Sequence, residues 1–253
     1  MYNVTVWHNI LWSRYKGEVF SSLWNFNAQG EFEFKFIQMA ETELDRTVLS
    51  SVDLSNHRYQ YDLMFKGALD NVPFLAKIKA IFKETLSSQA QLHILTSYEK
   101  LETILQMLLI KILGKKFAVF CDSTIHDNPQ RFFKGLVKAA IFRSADGIFG
   151  YGQRSREYVM HYGASDDKIF IRCQAAALPH DYDREKVAAL RLREQSPTPR
   201  FLFVGRLHAQ KDLPTLILAF SKYLKEKGDG QLVLIGKGPE EDALRALVAE
   251  LGI

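Results

Sequence analysis

The 253-residue chain holds 33 Lys and Arg against 29 Asp and Glu, a net charge of +4, with 47% hydrophobic and 25% charged residues. That is the balance of a folded globular protein with room for one large or two ordinary domains. Two cysteines, Cys121 and Cys173, exclude a disulfide framework, and no apolar run reaches the roughly 18 residues that a membrane span needs. A first segment without a basic leader and a Cys121 that closes an apolar run point to the reducing cytoplasm.

In chain order, residues 2–7 alternate as a first strand, with His8 and Asn9 at its carboxyl end. A helix from about Gly17 to Ala28 follows, with Val19, Phe20, Leu23 and Trp24 on one face. Phe32, Phe34 and Phe36 alternate with Glu33 and Lys35 in a second strand to Met39. Residues 40–57 have no clean period and predict a loop with a short helical piece, then a third strand within His57–Phe65. The next helix spans about Val72 to Ser88, with Pro73 near its start, where a missing N–H costs nothing. Leu92–Leu95 is a short buried strand, and the helix after it runs from about Tyr98 to Leu113, with Glu99 in its first turn. Further units are the strand Phe117–Cys121, a basic helix from Gln130 to about Ser144, the strand Asp146–Gly150, a helix Ser155–Tyr162 and the strand Lys168–Arg172. Strands alternating with helices predict a parallel sheet covered on both faces.

The charge is uneven. Glu99 to Arg143 holds eight basic and four acidic residues, so the excess of the whole chain lies there and an anionic partner is expected. Aromatic residues are too thinly interleaved for a nucleic-acid platform, and no nucleic-acid partner is expected. Arg131, Lys134, Lys138 and Arg143 share the basic helix with Phe132, Phe133, Leu136, Val137, Ile141 and Phe142. It reads either as an ordinary helix packed on the sheet or as a contact for an anionic membrane surface.

Past a charged helix at Asp183–Glu194 and a stiff turn at 196–199, a new unit opens. Phe201–Val204 is a buried strand ending at Gly205, Arg206 and Lys211 follow at a spacing of five, and a helix starts near Asp212 with Pro214 in its first turn. A second strand, Leu232–Ile235, runs into Gly236-Lys237-Gly238-Pro239. Two parallel strands joined by a helix place both loops at the carboxyl ends, where such sheets bind ligands. Glycine admits close backbone approach, and Arg and Lys supply donors for phosphate oxygens. The stretch predicts a diphosphate cradle. The expected organisation is a domain over 1–173, a connector over 174–199 and a domain opening at 200. With only two strands and two helices by Ile253, the second domain is expected to be cut short.

The run from Phe201 to Ile253 resembles the opening of the C-terminal domain of family-4 retaining glycosyltransferases with the GT-B fold. The Gly205-Arg206 to Lys211 spacing, the Gly236-x-Gly238-Pro239 turn and the Leu251-Gly252-Ile253 helix end carry the resemblance. Ala145–Ile148, Ser155–Gly163 and Asp167–Ile169 resemble the last units of that family's N-terminal domain. The resemblance implies two Rossmann-like domains and a nucleotide-diphosphate sugar donor. It places Arg206 and Lys211 on the donor diphosphate, where they stabilise the leaving group in place of a metal, and Gly205, Gly236 and Gly238 near the nucleotide. It implies no metal and no cofactor beyond the donor. The family's later Glu-x7-Glu segment, which holds the sugar, does not occur, and the first βα loop, His8–Trp12, lacks the common glycine pair.

On the acceptor side, His8, Asp122, His126 and Asp127 stand at strand ends, where a carboxylate or imidazole can orient a hydroxyl. An Asx turn for Asp122 and a solvated loop position for His126 are the bland readings. The expected activity is transfer of a hexose from a nucleotide sugar to a glycan or lipid-linked acceptor, in cell-surface polysaccharide synthesis. This would occur in the cytoplasm, at or near the inner membrane face, with the chain alone inactive. A non-catalytic nucleotide- or partner-binding protein and a sugar-phosphate epimerase of the same fold are the competing readings.

Overall fold

The computed structural model describes residues 1–26, 30–47, 51–126, 132–178, 181–193 and 198–253. The chain forms two compact units, Met1–Leu178 and Pro179–Ile253.

In the first unit β1 (Tyr2–Ile10), β2 (Phe32–Ala40), β3 (Tyr61–Leu63), β4 (Leu92–Leu95), β5 (Lys116–Cys121), β6 (Gly147–Gly150) and β7 (Ile169–Phe170) form one sheet. Its order is β3-β2-β1-β4-β5-β6-β7, and every neighbouring pair is parallel. The helices between them are α1 (Arg14–Phe26), α2 (Leu44–Thr47), α3 (Phe74–Ser87), α4 (Leu101–Ile112), α5 (Phe132–Ser144) and α6 (Gln153–His161). The two-residue pleat sorts the core. Trp7, Ile37, Leu95, Val119 and Ile148 face one way and pack with Ile81 of α3, Ile110 of α4, Phe142 of α5 and Val159 of α6. Val4, Val6, Phe36, Ile94 and Ala118 face the other way, toward Phe20 of α1 and Tyr59. Long apolar strands buried on both faces are what a parallel sheet requires.

Connections leave β1 toward β2 on one side and reach β4 on the other. That reversal opens a crevice at the carboxyl ends of β1 and β4, the place where doubly wound sheets bind ligands. Near it β1 runs three residues further than the alternation suggested, so His8 lies in the strand rather than beyond it. Pro73 stands at the N-cap of α3. Glu99 is a correction: α4 starts at Leu101, and Glu99 precedes it, its Oε1 2.9 Å from Lys138 Nζ.

The second unit has α7 (Arg184–Arg193), β8 (Arg200–Val204), α8 (Leu213–Lys227), β9 (Gln231–Ile235) and α9 (Glu241–Glu250). β8 and β9 pair in parallel, Leu202 opposite Val233 and Val204 opposite Ile235. One face packs Phe203, Leu232 and Leu234 under Leu213, Ile217 and Leu244. Leu202, Val204 and Ile235 alternate to the other face and are more than half exposed.

Candidate functional site

In the second unit the loops after β8 and β9 are zipped together. Gly205 N–H donates to Ile235 O at 3.0 Å, Leu207 N–H to Lys237 O at 2.9 Å, and Glu240 N–H to Leu207 O at 3.2 Å. The approach is so close that a Cβ on Gly236 would fall on the Gly205 carbonyl oxygen, and one on Gly238 on that of Leu207. These two glycines are therefore required by loop-to-loop backbone packing, a role that reading them as ligand contacts did not include. Gly205 is tight for a different reason, with the Phe203 ring 2.9 Å from where its Cβ would sit.

Arg206 is half-buried just past β8. Lys211 is exposed and closes a single 3₁₀ turn, Ala209–Lys211, with its N–H donating to His208 O at 2.8 Å. Asp212 then takes a left-handed conformation, φ +46° and ψ +47°, and turns the chain into α8. Such a backbone costs an aspartate about 1 kcal/mol or more. Asp212 stands at the N-cap with Pro214 in the first turn, but its side chain accepts from Thr215 Oγ1 at 3.0 Å rather than from the helix backbone. Two adjoining backbone loops that carry an Arg and a Lys supply donors of the kind a diphosphate takes.

In the first unit, the crevice at the switch point holds a pocket of about 160 Å³. His8 and Asn9 come from the end of β1, Thr96 from beyond β4, Asp122 from beyond β5 and Tyr151 from beyond β6, while Lys16 enters from the first turn of α1. His8 is buried and T-stacks on Phe20. Its Nδ1 lies 3.1 Å from Gln38 Oε1, Gln38 Nε2 donates to Tyr59 Oη at 2.8 Å, and Tyr59 Oη meets His57 Nδ1 at 2.8 Å. Burial, helped by the charge of Lys16, lowers the His8 imidazole to about 3, so it stays neutral and acts as a hydrogen-bonding group rather than a proton acceptor of useful strength.

Asp122 lines the same pocket and is exposed. His126 is exposed in the following loop, its N–H donating to Thr124 Oγ1 at 3.3 Å, and it is not among the residues lining the pocket. The structure thus brings His8 and Asp122 together and leaves His126 apart; Asp127 lies outside the described residues. Lys16 carried no signal in the sequence, because a lysine after a loop is ordinarily solvated. Its side chain is 3% exposed, with Nζ 3.5 Å from the Phe120 ring centroid and 5.1 Å from that of Tyr151. Burial lowers its ammonium to about 8, against the pull of Asp122.

Comparison with known proteins bears on both units. Residues 188–253 match the family model described as Glycosyl transferases group 1. No curated protein matches the chain. Among solved structures, the lipopolysaccharide outer core galactosyltransferase WaaB is 18% identical with a TM-score of 0.57, over 100% of this chain and 66% of that one. Anabaena Alr3699/HepE in complex with UDP is 13% identical at a TM-score of 0.63, over 100% and 66%. A UDP-N-acetylglucosamine 2-epimerase from Listeria monocytogenes, described as putative, is 12% identical at 0.58, over 98% and 66%. The chain spans just under two thirds of the length of these proteins. At such identities the likeness is one of fold: α/β, Rossmann-like, of the GT-B type.

Proposed function

We propose that the protein is a retaining glycosyltransferase that binds a nucleotide-diphosphate sugar at the loops after β8 and β9 and passes the sugar to a glycan or lipid-linked acceptor. The observation that carries this is a coincidence of position. The segment matching Glycosyl transferases group 1 contains the two loops whose backbones are zipped together, and Arg206 and Lys211 belong to the first of them, Gly236 and Gly238 to the second. WaaB is a galactosyltransferase and HepE is seen with UDP, which supports a uridine diphosphate sugar as the first donor to try.

In this reading Arg206 and Lys211 neutralise the charge that grows on the leaving diphosphate, the function a metal serves elsewhere, and the reaction needs no added metal. Asp122 and His8 orient the acceptor hydroxyl from the first unit. The whole assembly works in the cytoplasm, with α5 resting on an anionic membrane surface that presents the acceptor. Cell-surface polysaccharide synthesis fits such an acceptor.

Arg206→Ala and Lys211→Ala should each cut turnover by at least about 10²-fold, the effect of removing one preorganised electrostatic donor. The measurement is nucleoside diphosphate released from a panel of nucleotide sugars, in the longest natural form of the protein. Near-normal turnover in both variants would defeat the reading. An epimerase is a second reading, since UDP-N-acetylglucosamine 2-epimerases share the fold at similar TM-scores. The same panel separates them: an epimerase changes the sugar of the donor without glycosylating an acceptor. Nucleotide binding without turnover of either kind would leave a binding protein.

A further inference from the structure

The crevice pocket of the first unit concentrates buried polar atoms that have nothing to bond to. Seven buried side-chain nitrogen and oxygen atoms among the described residues lack a hydrogen-bond partner, and three of them belong to residues lining this pocket: Lys16 Nζ, Arg46 Nε and Thr96 Oγ1. All three can donate. Two are cationic. Among the described residues Lys16 Nζ has no hydrogen-bond partner; its ammonium lies over the faces of Phe120 and Tyr151, with the charge of Asp122 acting on it through space. Arg46, from α2, lies 3.6 Å from Asp45 Oδ1 without donating a hydrogen bond from Nε, and its guanidinium sits 5.0 Å over the Trp12 ring.

An unpaired ammonium buried this deeply is costly to hold. Three donors without a hydrogen-bond partner belong to residues that line one small cavity at a topological switch point, and they share a remedy, a ligand that brings acceptor oxygens and negative charge together. The pocket, of about 160 Å³, has room for a tetrahedral oxyanion and part of what it is attached to. Two carboxylates also line the pocket: Glu43, 3.5 Å from Lys100 Nζ, and the exposed Asp122, which would meet a neutral hydroxyl of the same ligand.

We infer that this pocket binds a phosphate-class oxyanion, held by Lys16 Nζ with Arg46 Nε and Thr96 Oγ1 completing its contacts. The binding stands on these atoms alone. Assigning the anion to a phosphorylated acceptor or to the diphosphate of the donor rests on the transferase reading.

The test uses the whole chain and Lys16→Met, which keeps the apolar stem against Phe120 and removes the charge. Inorganic phosphate and glucose 1-phosphate are titrated in a buffer free of other multivalent anions, read by calorimetry and by thermal unfolding. Wild type is expected to bind at least one of them saturably and to gain in Tm as it does. Lys16→Met is expected to bind at least about tenfold more weakly, a loss of ~1.4 kcal/mol. Without anion, Lys16→Met should unfold at a higher temperature than wild type, because it no longer buries an unpaired charge. No saturable binding by wild type, equal binding by the variant, or a variant less stable than wild type without anion would each overturn the inference; the last would make Lys16 a structural partner of Asp122.

A second arm titrates UDP against wild type, Lys16→Met and Lys211→Ala. UDP binding sensitive to Lys16 names the donor diphosphate as the occupant. UDP binding sensitive only to Lys211, with phosphate binding still sensitive to Lys16, names a separate phosphorylated ligand. Loss of UDP binding from wild type defeats the proposed donor site and leaves the phosphate result standing.

Discussion

His93 of β4 shows no exposed surface, accepts at Nδ1 from Trp7 Nε1 at 3.3 Å and leaves Nε2 without a partner. Burial, with Lys115 nearby, lowers its imidazole from 6.5 to about 4. The native state therefore keeps it neutral where the unfolded chain takes up a proton. In that window the unfolded state binds more protons, so stability falls as pH drops from about 6.5 toward 4. His8 acts in the same sense, with a pKa of about 3. Tm measured across pH 4–7 should decline on the acid side, and His93→Gln should flatten part of that decline; an unchanged slope in the variant would refute the assignment. At Gly236 the strain is steric. Gly236→Ala should lower the unfolding free energy of the second unit by ~1–3 kcal/mol, the usual cost of forcing atoms into a filled space, seen as an earlier denaturation midpoint, and weaken nucleotide binding with it. None of His93, Lys16 and Thr96 could be singled out in the sequence. Their significance comes from what surrounds them, and a lone His, Lys or Thr does not announce that its polar atom will be buried without a partner.

Elements were more legible than residues. The β4 run Leu92–Leu95 and the β5 run to Cys121 match the sheet because short apolar β-branched and aromatic stretches have few other uses. Cys121 is fully buried, and burial raises its thiol to about 11, so it is an inert core group as its position suggested. Helix starts were less legible: α4 begins later than its pattern suggested, because Tyr98 and Glu99 are occupied with Ser123 Oγ and Lys138 Nζ across the fold. α5 keeps both of its readings in play. Ile141 and Phe142 anchor it in the core, and Lys138 is tied to Tyr158 Oη at 2.7 Å as well as to Glu99. Yet Phe132 and Phe133 are 75% and 80% exposed beside Lys134, with Leu136 and Val137 open as well. An apolar band next to a cation is what an anionic lipid surface accepts. The protein should float with anionic vesicles at low salt, and Phe132→Ser/Phe133→Ser should lower the bound fraction several-fold. Failure of the wild type to float would remove the membrane from the proposal.

For the whole molecule, the two units differ in how well they bury themselves. The seven-stranded sheet has apolar clusters on both faces, while the two-stranded sheet has one. Leu202, Val204 and Ile235 form an exposed apolar face on a sheet whose two strands have no further strand partner among the described residues, a combination that promotes association. The 253-residue chain should self-associate as concentration rises, measured by light scattering. Leu202→Lys/Val204→Lys should shift it toward monomer, without changing phosphate binding in the first unit. The alternation of strands and helices made both sheets readable from sequence. The side a strand would expose was less so, since a strand buried on both faces and a strand buried on one can carry the same apolar letters.

The interior position of β1 also sets a timetable for synthesis. β1 is made first, yet it needs β4 on its open side, about 80 residues downstream. At ordinary translation rates that leaves it with one neighbour for roughly 4 to 16 s, with apolar Val4, Val6 and Trp7 in a half-built sheet. A ribosome paused before Leu92 would hold a chain in which one edge of β1 has no partner. Such a chain is a natural client for a chaperone, and slow codons should be better tolerated after β4 than before it.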